Sequence, residues 1–383
     1  MKIVVSKTVI EKAVSNICRV INSKNALPIL GDILCSVNEQ DKTMTLTGSD
    51  SEIYLMYTIS LKEVEGGGEF CVDAGFLKKA LAELKEQPVE IIADTENGLA
   101  AKFRLKHETG ETEIPLENAD EYPRIQDMTD DYILWNLDGG MVKRTLKRSL
   151  FATSNDDLRP VMNGICFNYD GDHLDIVASN GHVLIRNTEN VNITTNQPGS
   201  FIMLKKVSKL LPELLDTDSE IDVLFNEKQC RIEQELMTIQ FRLIEGKYPN
   251  YNSVIPDNAP YSFDADRESM LKAARNVVSF TNSSNRLVVM GIGSQKLTLY
   301  GEDYDFSFKS TDSIGIENHH GNDMRIGVNG ESLINELSRL AEQTVTVNYT
   351  DRSRAFTINP TDPICKDEEI TMLLMPLLFN EES

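Results

Sequence analysis

One histidine lies at a turn, where reactive side chains are often found. His182 follows Asn180 and Gly181 and precedes the apolar residues Val183 and Leu184. A catalytic imidazole would need an acid to orient it and a nucleophile within reach. A histidine that lines a partner groove, or that is satisfied within a turn, needs neither group. The sequence therefore predicts a binding or structural role for His182.

The remaining motifs that could carry chemistry do not assemble into an active site or a metal site. Residues 291–293, Gly-Ile-Gly, lack the third glycine of a dinucleotide-binding loop and lie in a predicted hairpin. His319 and His320 have no third ligand at a useful spacing. The six cysteines include no close Cys-x-x-Cys pair, and most stand in apolar runs typical of buried cysteine. We therefore predict no catalytic residue, no metal and no cofactor, and hence a protein that is not an enzyme.

His182 belongs to a hairpin pattern that occurs three times. Residues 167–185 alternate apolar and polar types on either side of a tight turn, which is typical of two antiparallel strands. Residues 33–57 and 287–308 repeat this alternation. The residue closing the second strand recurs at intervals of 130 and 123 residues, as Asp50, Asn180 and Asp303. Because that spacing is the size of a domain, the chain of 383 residues is predicted to contain three.

Each third of the sequence orders its elements in the same way: a strand, a helix, the hairpin, a strand, a second helix and closing strands. Two helices on antiparallel sheets make an α+β domain. The predicted helices are residues 7–21, 74–84, 140–151, 204–214, 267–278 and 330–340. The predicted domains are residues 1–128, 129–255 and 256–383.

The chain is acidic, but its basic residues are concentrated in the helices. The formal net charge of −22 argues, on its own, against a nucleic-acid partner. The windows that contain the six predicted helices carry +10 in total, so the rest of the chain carries −32. Lysine and arginine on helices can bind an array of phosphates without reading bases. The alternative is that they only populate the solvated faces of amphipathic helices, as in most proteins.

The last apolar stretch, residues 370–379, is too apolar to hang free in water. Met372 and Leu374 fit a final core strand, but Pro376 cannot continue a central strand. Residues 377–379 lie beyond that strand and precede acidic residues. We interpret them as part of a groove for a partner peptide.

No targeting or membrane segment is expected. The first residues alternate with polar types too quickly for a signal peptide, and no apolar run is long enough to span a bilayer. The predicted location is therefore the cytoplasm.

Short motifs are distributed along the whole chain, and each is weak alone. They are Leu27 to Asp32, Leu46 to Asp50, Glu121 to Pro123, Asn163 to Phe167, Ala178 to His182, Gly246 to Tyr251, Val254 to Pro256, and Met375-Pro376. Their order, spacing and threefold repetition together are specific. In these motifs, over its entire length, the sequence resembles the bacterial DNA polymerase III beta subunits, the sliding clamps.

The resemblance implies three clamp-type domains in a homodimer, joined head to tail, that closes a ring around duplex DNA. It implies no catalytic activity: such a processivity factor binds double-stranded DNA without sequence specificity. The implied protein partners are the DNA polymerase III alpha subunit, the clamp loader, and other DNA polymerases and repair proteins that bind through short peptide motifs. The alternative is an acidic protein-interaction scaffold of the same fold that never encircles DNA, which the net charge favours.

The resemblance also implies a peptide-binding groove between the second and third domains. Val183 and Ser253 stand where the family often has arginine, and Leu378-Phe379 replace a basic-apolar ending, so a more apolar groove is expected. The groove residues carried over are Met162, Ser179, Gly181, His182, Val183, Leu184, Pro249, Ser253, Val254, Leu373, Met375, Pro376 and Leu377.

Two further surfaces follow from the same resemblance. The candidates to face DNA are Lys24, Lys143, Arg144, Lys147, Arg148, Arg159, Lys205, Lys206, Lys209, Lys272 and Arg275. The dimer contact is expected to join a first-domain edge strand near Phe103 and Ile114 to the third domain near Phe280 and residues 298–308.

Overall fold

A computed structural model of the chain describes residues 1–22, 27–94, 102–126, 128, 131–190, 194–195 and 197–379. These residues form two compact units. The first comprises Met1–Gly140, Thr194–Asn196 and Glu213–Leu243, and the second comprises Met141–Ile193, Gln197–Pro212 and Ile244–Ser383. No helix in this part of the chain is both long enough and apolar enough to cross a membrane.

The helices among the described residues begin within one residue of their predicted starts. They are α1 (Lys7–Ile17), α2 (Ala74–Ala82), α3 (Gly139–Ser149), α4 (Lys205–Leu214), α5 (Arg267–Val278) and α6 (Gly330–Arg339). The first ends at Ile17, before its predicted end, because the Val20 N–H donates to the Ile17 carbonyl at 3.0 Å in a tighter turn. Val20 is nevertheless buried, so the apolar spacing there reflects packing rather than helix.

The strands of the described residues repeat the predicted order in each third. In the first third they are β1 (Lys2–Ser6), β2 (Asp32–Asn38), β3 (Thr43–Ser49), β4 (Ile53–Ser60), β5 (Glu63–Glu65), β6 (Gly68–Asp73), β7 (Pro88–Asp94), β8 (Lys102–His107) and β9 (Gly110–Glu117). In the second they are β10 (Ile133–Asp138), β11 (Gly164–Tyr169), β12 (Leu174–Ser179), β13 (Val183–Glu189), β14 (Thr194–Thr195), β15 (Gly199–Leu204), β16 (Glu220–Phe225), β17 (Gln229–Gln234) and β18 (Met237–Arg242). In the third they are β19 (Tyr261–Asp266), β20 (Leu287–Ile292), β21 (Lys296–Asp303), β22 (Phe308–Gly315), β23 (Glu317–His320), β24 (Met324–Asn329), β25 (Thr344–Tyr349), β26 (Phe356–Pro360) and β27 (Glu368–Leu374). The predicted α+β fold of three repeats is confirmed.

The strands form antiparallel sheets within each unit. In the first unit the order is β14-β10-β16-β17-β18-β4-β3-β2-β6-β9-β8-β7-β1-β5. The second unit contains one sheet ordered β15-β11-β12-β13-β27-β26-β25-β19-β23 and another ordered β22-β21-β20-β24. Asp73, Asp266 and Asn329 each end a strand and cap the helix that follows. Each side chain accepts the N–H of the residue three positions later.

Two strand pairs join one third of the chain to the next. β4 pairs antiparallel with β18, with Leu55 opposite Ile239. β13 pairs with β27 in the same way, with Ile185 opposite Met372. The corresponding strand of the third repeat, β22, pairs only with β21 among the described strands and so is an edge strand.

The core of each unit is aliphatic and aromatic. In the first, Trp135 packs edge-on against Phe225 with ring centres 4.6 Å apart, and in the second Phe167 stacks on Phe201 at 4.8 Å. All six cysteines are free thiols. Burial raises the pKa of the Cys166 thiol to about 11, so it behaves as a small apolar side chain at neutral pH.

Candidate functional site

Several of the predicted groove residues meet where β13 begins and β27 ends. Leu184 lies opposite Leu373 across this strand pair. Beyond the strand, the Met375 N–H donates to the His182 carbonyl at 2.8 Å. The turn at residues 180–182 and the C-terminal tail therefore share one surface of the second unit.

The turn beside this surface is held by local hydrogen bonds. The Asn180 side-chain oxygen accepts the N–H groups of His182 at 2.9 Å and Val183 at 3.0 Å. Gly181 has φ 89°, in the left-handed region that favours glycine. Ser179 Oγ accepts the Gly181 N–H at 3.2 Å and donates to the Val183 carbonyl at 2.9 Å. These bonds fix the backbone while leaving the His182 ring exposed.

A buried apolar cluster forms the floor under the turn and the tail. The Tyr251 hydroxyl donates to Asp175 Oδ2 at 2.8 Å and accepts from Asn168 Nδ2 at 3.1 Å. Burial raises the pKa of Tyr251, so its hydroxyl stays protonated. The cluster contains Cys166, Val177, Leu184, Ile202, Tyr248, Tyr251 and Leu373, with Val161, Ile244, Ile255 and Ala355 packed against it.

Exposed apolar side chains surround this floor, and we call floor and rim together the apolar groove. Val254 is 52 % exposed and Met375 is 40 % exposed. Arg159 Nη1 lies 3.3 Å from the point where a Cβ on Gly181 would stand, so this arginine lies at the rim. Of the predicted groove residues, the buried ones are Met162, Ser179, Val183, Leu184 and Leu373. The exposed or half-buried ones are Gly181, His182, Pro249, Ser253, Val254, Met375, Pro376 and Leu377.

The tail that forms one wall of the apolar groove is fixed at its far end. The Leu377 N–H donates to the Gly327 carbonyl at 2.7 Å. A Cβ at Gly327 would collide with the Leu377 carbonyl, so only glycine fits there. The Arg325 guanidinium lies over the rings of Tyr300, at 5.6 Å, and Phe379, at 5.5 Å. The tail is thus a packed element of the second unit.

Several floor residues were not among the predicted groove residues. Tyr248 and Tyr251 lie within the motif 246–251, and Val161 precedes the predicted Met162. The sequence repeats a Tyr-Pro pair, as Tyr122-Pro123 and Tyr248-Pro249, and this repetition could have identified Tyr248. Ala355 had no comparable signal, because only the β26–β27 pairing brings it to the floor.

The predicted DNA-facing residues lie mainly on α3, α4 and α5. Lys205 Nζ donates to Asn155 Oδ1 at 2.8 Å, and burial lowers the pKa of both Lys205 and Lys206. Lys272 pairs with Glu268 at 2.9 Å. Lys24 lies outside the described residues. The exposed side chains are Lys147, Arg159, Lys206, Lys209, Lys272 and Arg275, and the half-buried ones are Lys143, Arg144 and Lys205.

The prediction that Arg148 faces DNA is wrong. Its side chain is 7 % exposed, and its guanidinium donates to Glu368 at 2.5 and 3.3 Å and to Asn187 Oδ1 at 2.8 Å. Arg144 lies 3.6 Å from the same carboxylate but is partly exposed. The helical pattern cannot reveal this burial, because Glu368 stands 220 residues away in sequence.

A second carboxylate at this ion pair makes stability depend on pH. Glu189 lies opposite Glu368 across β13 and β27. Burial, and then the charge of Glu368, raises the pKa of Glu189 from 4.5 to about 8. The folded chain therefore holds this proton more tightly than the unfolded chain. The stability it contributes is complete below the unfolded pKa and is lost as the pH rises from 4.5 towards about 8.

Between about pH 5 and pH 8, the ionisation of Glu189 should lower the free energy of unfolding of the native chain by an amount on the order of 2 kcal/mol. We expect the variant Glu189→Gln to lack this decrease. Urea unfolding at several pH values measures this. Part of the decline should persist in the variant, because full burial also raises the pKa of Glu336. The double variant with Glu336→Gln should be flatter still. Equal slopes for the native chain and Glu189→Gln would contradict the assignment.

The predicted dimer-contact residues differ in exposure. Phe103 is 1 % exposed and packs on Phe70 with ring centres 6.0 Å apart, so its prediction as a contact residue is wrong. Strand alternation alone does not tell which face of β8 is inside. Ile114 is 4 % exposed and so presents little side chain of its own to a partner. Phe280 is 43 % exposed.

Phe280 belongs to an exposed aromatic cluster at the edge strand β22. Phe308 lies 6.3 Å from Phe280 and 5.9 Å from Phe306, between ring centres. Phe306 is 69 % exposed and Phe308 is 49 % exposed. Neighbouring aromatic side chains in water mark an interaction surface.

The first unit carries an apolar recess between α2 and β9. Its volume is about 410 Å³, and its lining includes Phe76, Ala80, Ile114 and Pro115. Phe76 is 58 % exposed beside it. The recess and the aromatic cluster are both apolar, and each borders a strand, β9 or β22.

The described residues contain no group of three His, Cys, Asp or Glu side chains arranged to hold a metal ion. The His319 Nε2 atom lies 3.2 Å from the Tyr349 hydroxyl. This contact gives His319 a structural partner.

Comparison with known proteins assigns each third of the chain to a domain of one protein family. The family models of the DNA polymerase III beta subunit match residues 1–126 (N-terminal domain), 136–250 (central domain) and 252–378 (C-terminal domain). The beta sliding clamp of Halalkalibacterium halodurans is 25 % identical, covering 94 % of this chain and 96 % of that protein. The beta sliding clamp of Streptococcus pneumoniae is 25 % identical, covering 98 % of this chain and 99 % of that protein.

Solved structures share the fold at lower identity. The DNA polymerase III subunit beta of Pseudomonas aeruginosa superposes with a TM-score of 0.91 at 20 % identity, covering 99 % of this chain and 100 % of that one. The beta subunit from DNA polymerase of Streptococcus pyogenes gives 0.91 at 22 % identity, with the same coverage.

Proposed function

Because the chain belongs to the DNA polymerase III beta subunit family, we propose that two copies close head to tail around duplex DNA and tether the replicative polymerase. Its function is that of a sliding clamp, a processivity factor of DNA replication. The observation that carries the proposal is the combination, in one acidic chain, of an apolar groove with helices that expose basic side chains. We further propose that it acts in the cytoplasm, without catalysis, metal or cofactor.

We propose that the protein binds DNA through contacts between basic side chains and the phosphate groups. The exposed Lys206 and Lys209 of α4 and Arg275 of α5 suit contacts that release counterions and read no bases. Such contacts weaken steeply with salt. A closed ring compensates, because it holds circular DNA by topology even when each contact is weak.

Retention on DNA tests this proposal. After loading, the native protein should stay on a circular duplex at high salt and leave a linear duplex. We expect Lys206→Glu with Lys209→Glu to reduce loading about tenfold or more at low salt, since two phosphate contacts become repulsive. The matched control is Lys228→Glu with Lys296→Glu, which reverses the charge of two exposed lysines outside the helices. Equal retention on linear and circular DNA would contradict the ring and favour a scaffold that never encircles DNA.

The register of the dimer contact can be inferred from the internal repeats. One row of paired residues crosses β1, β7, β8 and β9: Ile3, Ile91, Leu105 and Thr112. A matching row crosses β10, β16, β17 and β18: Trp135, Val223, Ile232 and Ile239. Thr112 of β9 thus corresponds to Ile239, the residue opposite Leu55 of β4.

The same correspondence applies to β4 and the edge strand β22. Gly48 and Gly301 each press against the preceding helix, and they pair with Leu55 and Ser310. Ser310 should therefore lie opposite the partner's Thr112, and Phe308 opposite the partner's Ile114. In this register the aromatic cluster of one copy faces the apolar recess of the other, which supports a head-to-tail dimer.

The apolar groove is the proposed site for protein partners. Its floor combines aliphatic and aromatic side chains, and its rim leaves Val254 and Met375 in water. This arrangement suits a short peptide that inserts apolar side chains. We propose that the DNA polymerase III alpha subunit, the clamp loader, other DNA polymerases and repair proteins compete for it.

A further inference from the structure

A second surface, in the first unit, is built like the apolar groove. The Asp50 side chain accepts the N–H groups of Glu52 at 3.1 Å and Ile53 at 2.9 Å, as Asn180 does in the second unit. Ser51 has φ 80°, where Gly181 has 89°. The Arg242 N–H donates to the Glu52 carbonyl at 3.3 Å, as the Met375 N–H does to His182. The two turns and the strand ends beside them are therefore equivalent.

The floors of the two surfaces also correspond. Tyr122 lies in a buried cluster with Leu34 and Cys71, which stand opposite each other on β2 and β6. Tyr248 lies in a cluster with Cys166 and Ile202, which stand opposite each other on β11 and β15. The repeated fold has thus made two recesses of one design in each chain.

The side chains at equivalent positions of the two recesses differ in polarity. Gln240 faces Tyr54 where Leu373 faces Leu184. Arg242 lies opposite Gln229. The equivalent positions in the second unit are Met375 and Ala355, which adjoin the pair Leu374 and Phe356 of β27 and β26. The recess at the Asp50 turn, which is distinct from the apolar recess between α2 and β9, has a volume of about 290 Å³. Its lining includes Glu52, Arg124, Gln126, Gln229 and Arg242.

A buried glutamine next to this recess is hydrogen-bonded to two of its lining residues. Gln240 is 1 % exposed, and its amide donates to the Gln126 carbonyl and to Gln229 Oε1, each at 3.0 Å. An apolar side chain entering here would have to displace these hydrogen bonds or strip water from Arg242. Both changes are unfavourable, because buried polar groups left without partners cost free energy.

We propose that Gln229, Gln240 and Arg242 determine which of the two recesses accepts apolar partner peptides, and so limit each subunit to one partner site. The inference rests on the proposed function of the apolar groove. Specificity between similar sites requires a repulsive element at the wrong site as well as attraction at the right one. The polar triad is that element.

The test exchanges the three residues for their counterparts: Gln229→Ala, Gln240→Leu and Arg242→Met. The probe is a fluorescein-labelled decapeptide whose only apolar residues are leucine and phenylalanine, and calorimetry gives the number bound per subunit. The native chain should bind one, and the triple variant should bind two. Adding Met375→Glu, which disables the apolar groove, should leave none in the native background and one in the triple variant.

The outcomes separate this inference from the function on which it rests. A native chain that binds no peptide would overturn the proposed groove. A native chain that binds two would show that the polar triad excludes nothing. A triple variant that keeps the native thermal transition but still binds one would overturn the inference alone. The variant Arg339→Met, at an exposed arginine of α6 that lines neither recess, controls for loss of charge and should bind one.

Discussion

A chain that ends after Leu374 is expected to lose at least about 100-fold in affinity for the DNA polymerase III alpha subunit. The truncation removes the exposed rim residue Met375 and the Leu377 wall of the apolar groove. Each apolar anchor that loses its contact is worth about 1.5 to 3 kcal/mol. The fold should persist, because β27 ends at Leu374 and the core strand pairing to β13 remains. Surface plasmon resonance with immobilised alpha subunit measures the change.

A point variant separates the apolar surface from the length of the tail. Met375→Glu keeps the chain intact and places a charge at the rim, so it should weaken binding nearly as much as the truncation. Leu236→Glu is the matched control, since Leu236 is a 50 % exposed leucine in the first unit. Native affinity in the truncated chain would put the partner site elsewhere. Conversion of the truncated chain to monomers would assign the tail to the dimer contact.

Phe308→Glu is expected to raise the dimer dissociation constant roughly 1,000-fold. The substitution removes a half-exposed ring from the aromatic cluster and places a charge against Phe76, Ile114 and Pro115 of the apolar recess, beside the carboxylate of Glu113. In a ring of two subunits every substitution occurs at both contacts, so a loss of about 2 kcal/mol at each becomes about 4 kcal/mol in total. Sedimentation velocity over a range of concentrations measures the constant.

A cross-link tests the inferred register of that contact. Cysteines at Thr112 and Ser310 would stand directly opposite each other between subunits, within the Cα separation that a disulfide accepts. Oxidation should therefore give covalent dimers on a non-reducing gel. Moving the second cysteine to Asp312 shifts it along the same face of β22 and should abolish most of the product. Equal yields from both pairs would contradict the register.

The secondary structure could be predicted because its determinants are local. α5 begins and ends where the sequence predicts, since the apolar spacing and the Asp266 cap lie within a few residues of each other. Arg148 and Phe103 could not be predicted correctly. The burial of Arg148 depends on Glu368, and that of Phe103 on which face of β8 meets the core. Both are set by partners that the local pattern does not contain.

The apolar groove could be predicted in part. Its turn at Asn180 and its tail at Met375 carried recognisable motifs, and the structure brings them within hydrogen-bonding distance. Ala355 reaches the floor only through pairing of strands that are distant in sequence, so no motif marked it. The polarity of the equivalent recess in the first unit was likewise invisible until strand register matched Gln240 with Leu373.

The continuous strand pairings β4 with β18 and β13 with β27 have a mechanical consequence for a two-subunit ring. Both strands of each pair belong to the same polypeptide, so the ring stays covalently connected even if the pair separates. β22 is an edge strand, and the contact proposed there would join separate molecules without such a covalent link. Any force that opens the ring should therefore separate it at β22. The β4–β18 and β13–β27 pairings of both subunits, four in total, should stay closed.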